Sequence, residues 1–376
     1  MKKFIQIFGL FAATCLLITS SIFSGCSKSD DDEKESDKKT VIDTTGTKIS
    51  YYVALTYKDA LTGVTHAAYY HDSLVTLEVQ SDGNAYANAL FVDNGDVYVA
   101  GSDNNNAVYW KNGAIHYLPE GTSASGIYVA NGNVYVCGFE NATTGQQARY
   151  WVNDTPAYSL TNGSRAEGIV VDNTGHIYIV GYCSESSGIE TLYYWVGTEG
   201  SMPSWKLAAD ATENACEGRA ITLDYTHYDS NGLPFVCIAS LEYARTGYMC
   251  KQWVNRRCTK LDQTSGNDLN DIVAVDGKLY SCGKIAKQAY YWVSTIASTG
   301  ACKDVQAISL TDGSELTYAT AISVLEDHVY VCGYRYTDRL PYIWKDGKQF
   351  NLLPNSVTSL SIDEVADISV IREKIQ

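Results

Sequence analysis

Apolar residues in this chain fall into short runs broken by Gly, Asn or Asp, and the same two runs recur along its length. The first is Ile/Leu-x-Val, a polar turn, then Val-Tyr-Val-x-Gly. Copies read Leu90-Phe91-Val92 with Val97-Tyr98-Val99-Ala100-Gly101, Ile127-Tyr128-Val129 with Val134-Tyr135-Val136-Cys137-Gly138, and Ile169-Val170-Val171 with Ile177-Tyr178-Ile179-Val180-Gly181. Later copies begin at Ile221, Ile272 and Ile322. The second run ends in tryptophan, at Trp110, Trp151, Trp195, Trp253, Trp292 and Trp344, with intervals of 41, 44, 58, 39 and 52 residues. Runs rich in β-branched and aromatic residues and closed by turn formers predict strands. The pairs Asn94-Gly95, Asn131-Gly132 and Asp276-Gly277, and Asn112-Gly113 and Asp346-Gly347 after two tryptophans, tolerate positive φ and predict tight hairpins. Apolar residues run together instead of alternating, which suits strands covered on both faces.

A period near 40 built from four strands predicts an all-β seven-bladed β-propeller of four-stranded blades. Six complete units run from about residue 87 to 354. Ala366–Val370 matches a first strand and stops, while Tyr51–Leu55, Ala67–Asp72 (with Tyr70 in the tryptophan slot) and Leu74–Val79 supply three more. The C-terminal strand joining the N-terminal strands closes the ring and removes an open sheet edge. The propeller is expected over residues 49–371.

The first 25 residues have the charge and hydropathy of a secretory signal: Lys2 and Lys3, an apolar run from Phe4 to Phe23, then Ser24-Gly25. The following Cys26 resembles the lipidated cysteine of a bacterial lipobox, with Phe23 in place of the usual Leu. That resemblance implies cleavage before Cys26 and acylation, a durable membrane anchor. Residues 26–48, opening with Asp30-Asp31-Asp32-Glu33, form an acidic flexible tether that cannot build a core. An acidic run after such a cysteine resembles the surface-export signal of Bacteroidota lipoproteins and implies display outside the cell. The formal charge is −15, and −17 without Lys2 and Lys3, which excludes nucleic acid as a partner and favours a neutral ligand.

Among 11 cysteines, Cys137, Cys237, Cys282 and Cys332 are assigned one small apolar slot of the second strand and read as core. Cys183 with Cys216, and Cys258 with Cys302, are candidate disulfide pairs. No Cys or His spacing suits zinc, so neither metal nor cofactor is expected.

Propeller loops diverge on a rigid scaffold, so position within the repeat guides the search for a site. Just before each first strand the chain offers Asn88, Ser125, Glu167, Arg219, Asn270, Thr320 and Ala366, a polar rim for the channel or a set of groups bonded to connector backbone; Glu167 and Arg219 also suit one another as an ion pair. The loops after the second strand open with Phe139, Tyr182 and Tyr334-Arg335. Aromatic faces beside charged donors and acceptors suit sugars, although the same tyrosines also suit loop bases. There is no Gly-x-Ser-x-Gly and the six histidines share no register, so no catalytic residue is assigned.

The repeat, with its Ala-x-Tyr-Trp-Lys-Asn-Gly phrase, resembles uncharacterised propeller lipoproteins of gut Bacteroidota and, more loosely, short extracellular repeats ending in Trp-x-Asn-Gly. The resemblance implies fold and address but carries no activity. The expected function is capture of an extracellular glycan or small neutral ligand beside an outer-membrane transporter or surface protein. An adhesin and a glycan-cleaving enzyme are the alternatives; the enzyme predicts clustered carboxylates or a His–Tyr pair at the channel mouth.

Overall fold

The computed structural model describes residues 46–80, 83–184, 189–207, 215–244, 247–261, 267–350 and 352–374. The signal segment, Cys26 and nearly all of the acidic tether lie outside them. The described chain forms seven four-stranded antiparallel sheets. We number these blades 1 to 7 and their strands A to D from the channel outward. Strand A is Ala85–Asp93, Ser123–Ala130, Arg165–Val171, Ala215–Tyr228, Asp268–Val275 and Thr317–Leu325 in blades 2 to 7. Blade 1 takes its strand A from the far end of the chain, Ser361–Lys374, which pairs with Thr47–Lys58 along its whole length. The closing strand is longer than the expected five residues, and this pairing seals the ring.

The expected hairpins form because Asn and Gly accept the left-handed region that a two-residue turn demands. Asn94 and Gly95 have φ of 49° and 87°, and Asn131 and Gly132 have 52° and 79°. The tryptophans are packing elements between blades. Trp110 lies among Tyr52, Ala54 and Ala67 of blade 1, and Trp151 among Tyr98, Ala100 and Tyr109 of blade 2. Tyr70 does the same against Tyr330 and Cys332 of blade 7. Each buries a large apolar ring, about 4–6 kcal/mol of transfer free energy. The indole N–H groups of Trp110, Trp151 and Trp195 donate to the carbonyls of Glu78, Pro119 and Thr161, in the connectors that enter their own blades. Trp253 of blade 5 instead donates to Ser240 Oγ at 2.8 Å.

Two cysteine expectations need correction. The small slot of strand B is defined by pairing with the residue after the strand A irregularity: Ala100, Cys137, Val180, Ala239, Cys282 and Cys332 in blades 2 to 7, and Ala54 in blade 1. Ala239 therefore holds the slot assigned to Cys237, which pairs with Thr222 one step farther along the same face. Ser240 in place of the usual Gly hid this register. The nine cysteines among the described residues are all free thiols, so neither disulfide pair forms. Cys258 opposes Trp253, in the seam between blades 4 and 5, whereas Cys302 opposes Ile296, in the seam between blades 5 and 6. Cys216 packs in the seam between blades 4 and 5; Cys183 lies an odd number of strand positions from Val180, which faces that seam, and so points the other way.

Candidate functional site

In every blade, strand A carries one residue more than strand B at one point. The extra residues are Asn88, Ser125, Glu167, Arg219, Asn270, Thr320 and Ala366, the same seven positions picked out from the sequence. A β-bulge re-aims a side chain, and here it turns each of these positions toward the channel. The strand B glycine opposite explains why the backbone can come so close: a Cβ on Gly101, Gly138, Gly181, Gly283 or Gly333 would sit about 2 Å from a strand A carbonyl oxygen. All seven bulges line one cavity of about 180 Å³ with Ile127, Ile169 and Ile221 below them.

Around part of the ring the channel side chains bind neighbouring backbone. Asn270 donates to Ala319 O at 2.8 Å, Thr320 to Val365 O at 2.6 Å, and Asn88 to Ala124 O at 2.7 Å. Two carboxylates beside the bulges work in reverse. Asp271 accepts from Ile322 N at 2.9 Å and Asp367 from Leu90 N at 2.7 Å. These bonds clasp blade 6 to 7, 7 to 1, 1 to 2 and 2 to 3. Burial pushes the Asp271 carboxyl up to about 6. Burial, then repulsion from Asp271, pushes Asp367 up to about 8.

Blades 4 and 5 differ. Glu167 pairs with Arg165 of its own strand at 3.2 Å, and Arg219 with Glu217 at 2.5 Å. The expected partnership of Glu167 with Arg219 is thus electrostatic proximity without an ion-pair contact. Burial raises the Glu167 carboxyl, and the two guanidiniums oppose that. Blade 6 places Asp268 opposite Lys284. At the junction of blades 7 and 1, Arg339 lies in the field of Glu364 and donates to Asp363 O at 3.0 Å. Four consecutive steps around the mouth thus each carry a cation and a carboxylate. A fifth carboxyl, Glu190, opens strand C of blade 4 and hydrogen-bonds Glu217, which also accepts from Tyr243 OH at 2.6 Å. Burial, then that contact, pushes Glu190 up to about 7.

The aromatic expectations divide. Tyr182 is a buried ring whose hydroxyl meets Arg165. Tyr334 is half-buried, stacked on Tyr318 with centroids 5.4 Å apart and capped by Arg339 at 5.1 Å. Lys284 lies over the Tyr318 ring at 5.4 Å, joining blades 6 and 7. Arg335 is not a rim residue. It is held by Asp338 of its own loop, Nε 2.8 Å from Oδ1, and by Glu315 of the connector before strand A at 3.0 Å, while Arg339 caps Tyr334. Sequence reading also missed Arg165, Glu217 and Asp268. All three precede the bulge by two residues, so the period of 2 along strand A was the available signal. Asp271 and Asp367 stand where other blades have Ala or Gly, which was equally visible.

No family model and no curated protein matches the chain. Solved propellers do. An acylaminoacyl peptidase from Pyrococcus horikoshii superposes with a TM-score of 0.50 at 11% identity, covering 82% of this chain and 51% of that one. The β-propeller domain of the Trilobed protease from Pyrococcus furiosus gives 0.48 at 10% identity, covering 81% and 94%. A protein of unknown function from Bacteroides caccae gives 0.44 at 10% identity, covering 86% and 99%. The chain spans about half the length of the peptidase. At these identities the likeness concerns the fold alone.

Proposed function

We propose that this propeller is a ligand-binding protein that captures a glycan at the channel mouth across blades 4 to 7. The observation that carries the reading is the charge cluster beside Tyr318 and Tyr334: the ion pairs Arg165–Glu167 and Arg219–Glu217, Asp268 in the fields of Arg219 and Lys284, and Glu364 in that of Arg339. The mouth mixes cations with carboxylates and is dense in donors and acceptors. That pattern fits polyhydroxylated chains, whose hydroxyls both donate and accept and whose C–H faces stack on tyrosine. Anchoring through Cys26, display outside the cell and service to an outer-membrane uptake system belong to the same proposal. Their support is the sequence pattern of residues 1–48.

A second reading, a glycan-cleaving enzyme, is favoured by the contact between the Glu190 and Glu217 carboxyls, because a carboxyl kept neutral near pH 7 suits general acid work. One experiment separates the two. Residues 40–376 are run through native gels containing neutral and acidic polysaccharides, and each incubation is checked for released sugars. Retardation without products supports binding, and retardation with products supports the enzyme. Free migration through the whole panel sinks both. Labelling with a fatty acid, lost in Cys26→Ala, checks the anchor.

A further inference from the structure

Blade 7 gathers three tyrosines at the mouth, and their rings are not equally free. Tyr318 stands two residues before the strand A bulge, the place held by Arg165, Glu217 and Asp268 in blades 4 to 6. It pairs across to Tyr334 on strand B, and the two rings stack with centroids 5.4 Å apart and 24° between their planes. A face covered by a stacked ring cannot also take a cation. Lys284, over Tyr318 at 5.4 Å, and Arg339, over Tyr334 at 5.1 Å, therefore hold the two remaining faces. Neither ring is left with a face for a sugar. Tyr336 extends the cluster outward: Arg339 lies 5.3 Å from its ring centre, Tyr318 meets it at 6.1 Å with a tilt of 53°, and it is 51% exposed.

The loop that carries Tyr336 joins strand B (His328–Arg335) to strand C (Pro341–Lys345) and is tied on three sides. Arg335 N donates to Leu340 O at 2.9 Å, and Tyr336 N donates to Leu316 O of the connector before strand A at 2.8 Å. The Arg335 side chain adds its contacts with Asp338 and Glu315. Arg339 has φ of 59°, a left-handed conformation that costs an arginine more than a glycine, and from there it donates to Asp363 O of blade 1. A ring presented on so constrained a loop loses little freedom on binding. Around it the carboxyls of Glu315, Asp338 and Glu364 outnumber the guanidiniums of Arg335 and Arg339, so an acidic sugar would meet like charge. Resting on the reading of the mouth as a glycan site, we propose that Tyr336 is its stacking residue: an uncharged sugar ring lays its C–H face on the open side of Tyr336, which Arg339 braces from behind.

The first test needs no ligand. Photo-CIDNP NMR with a flavin dye polarises tyrosine rings that the dye can touch. A polarised signal is expected in the wild-type protein and should vanish in Tyr336→Phe. If Tyr336→Phe loses no signal, the ring is covered and the inference is overturned. The second test measures affinity for the polysaccharide retained in the gel panel. Tyr336→Ala should bind about tenfold more weakly and melt with the wild type, because the lost ring is mostly exposed. Tyr336→Trp, which keeps a flat face, should bind about as tightly as the wild type. Unchanged affinity in Tyr336→Ala, or an equal loss in Tyr336→Trp, overturns the inference while leaving the glycan reading in place. Retention by uronate polymers alone overturns the preference for uncharged rings. Free migration of the wild type through the whole panel sinks the glycan reading and this inference with it.

Discussion

From blade 6 through blades 7, 1 and 2 to blade 3, the polar side chains at and beside the bulges bind the neighbouring blade's backbone, whereas at blades 4 and 5 they bind other side chains. The backbone position is the same in both arcs. Side-chain length separates them. Asn, Thr and Asp reach only as far as the next strand A, where they meet carbonyl or amide groups left open by the bulge. Glu and Arg extend farther, and at Glu167 and Arg219 they gather with Arg165, Glu217 and Glu190 at the mouth. The first arc satisfies buried polar backbone, which is costly to leave unpaired. The second leaves ionisable groups facing one another around a cavity. One repeat therefore builds a closure device on one side of its channel and a candidate site on the other.

The hardest test removes the clasp altogether. Deleting Ser361–Gln376 takes away strand A of blade 1 and Asp367 with it, and the protein is expected to lose its cooperative thermal transition and aggregate on size exclusion. A sharp melt in the truncated chain would show that the ring closes without this strand. Next in size are the tryptophans, which lie outside the contrast. Trp151→Ala in the clasped arc and Trp253→Ala in the other should each cost about 3–5 kcal/mol in urea unfolding. A much smaller loss in blade 5 would mean that the site arc is loosely packed throughout.

Paired substitutions sharpen the comparison itself. Arg219→Ala should weaken ligand binding about 10- to 150-fold, as expected for losing hydrogen bonds to a charged group, and should also lower the melting temperature because it strands the buried Glu217 carboxylate. Asn270→Ala should lower stability by about 1 kcal/mol while leaving affinity alone. If both variants lose affinity equally, the two arcs are not functionally distinct. The last test is pH. Asp271, Glu190 and Asp367 are raised to about 6, 7 and 8, so between roughly pH 4 and 8 the folded chain holds more protons than the unfolded one. Stability contributed by these groups should then fall as pH rises through that window and level off above it. Calorimetry at pH 5, 7 and 9 checks the sign, and Asp367→Asn should flatten the upper part of the curve.

Blade 5 shows where reading the repeat reached its limit. Phe235-Val236-Cys237-Ile238 departs from the strand B phrase at Phe235 and Ile238, and the pairing places Ala239 and Ser240 in the slots expected two residues earlier. Gly218 on strand A takes over the close approach, and a Cβ there would meet Val180 and Leu192 within about 2.6 Å. The blade also buries Lys251 against Glu242. The departure at Phe235 and Ile238 marked the blade as irregular, but not where its register moved or that an ion pair lies inside it. Arg335 shows another limit of the pattern. A loop side chain is positioned by whichever opposite charge its own loop supplies, here Asp338 three residues on.

The sequence by itself determined the number of blades, the four strands of each, the turns between them and the closure of the last strand on the first. Those follow from local periodicity, turn chemistry and a seam residue repeated once per unit, all written within about forty residues. It also determined which seven positions face the channel, since each copy of the repeat puts its bulge at the same place. Only the tertiary structure decided what those positions do. Whether a polar side chain clasps the next blade or joins a charged mouth depends on the groups that packing brings beside it: Glu190 and Glu217 meet when consecutive blades stack, and Asp271 and Asp367 come to share one cavity only when the ring is complete.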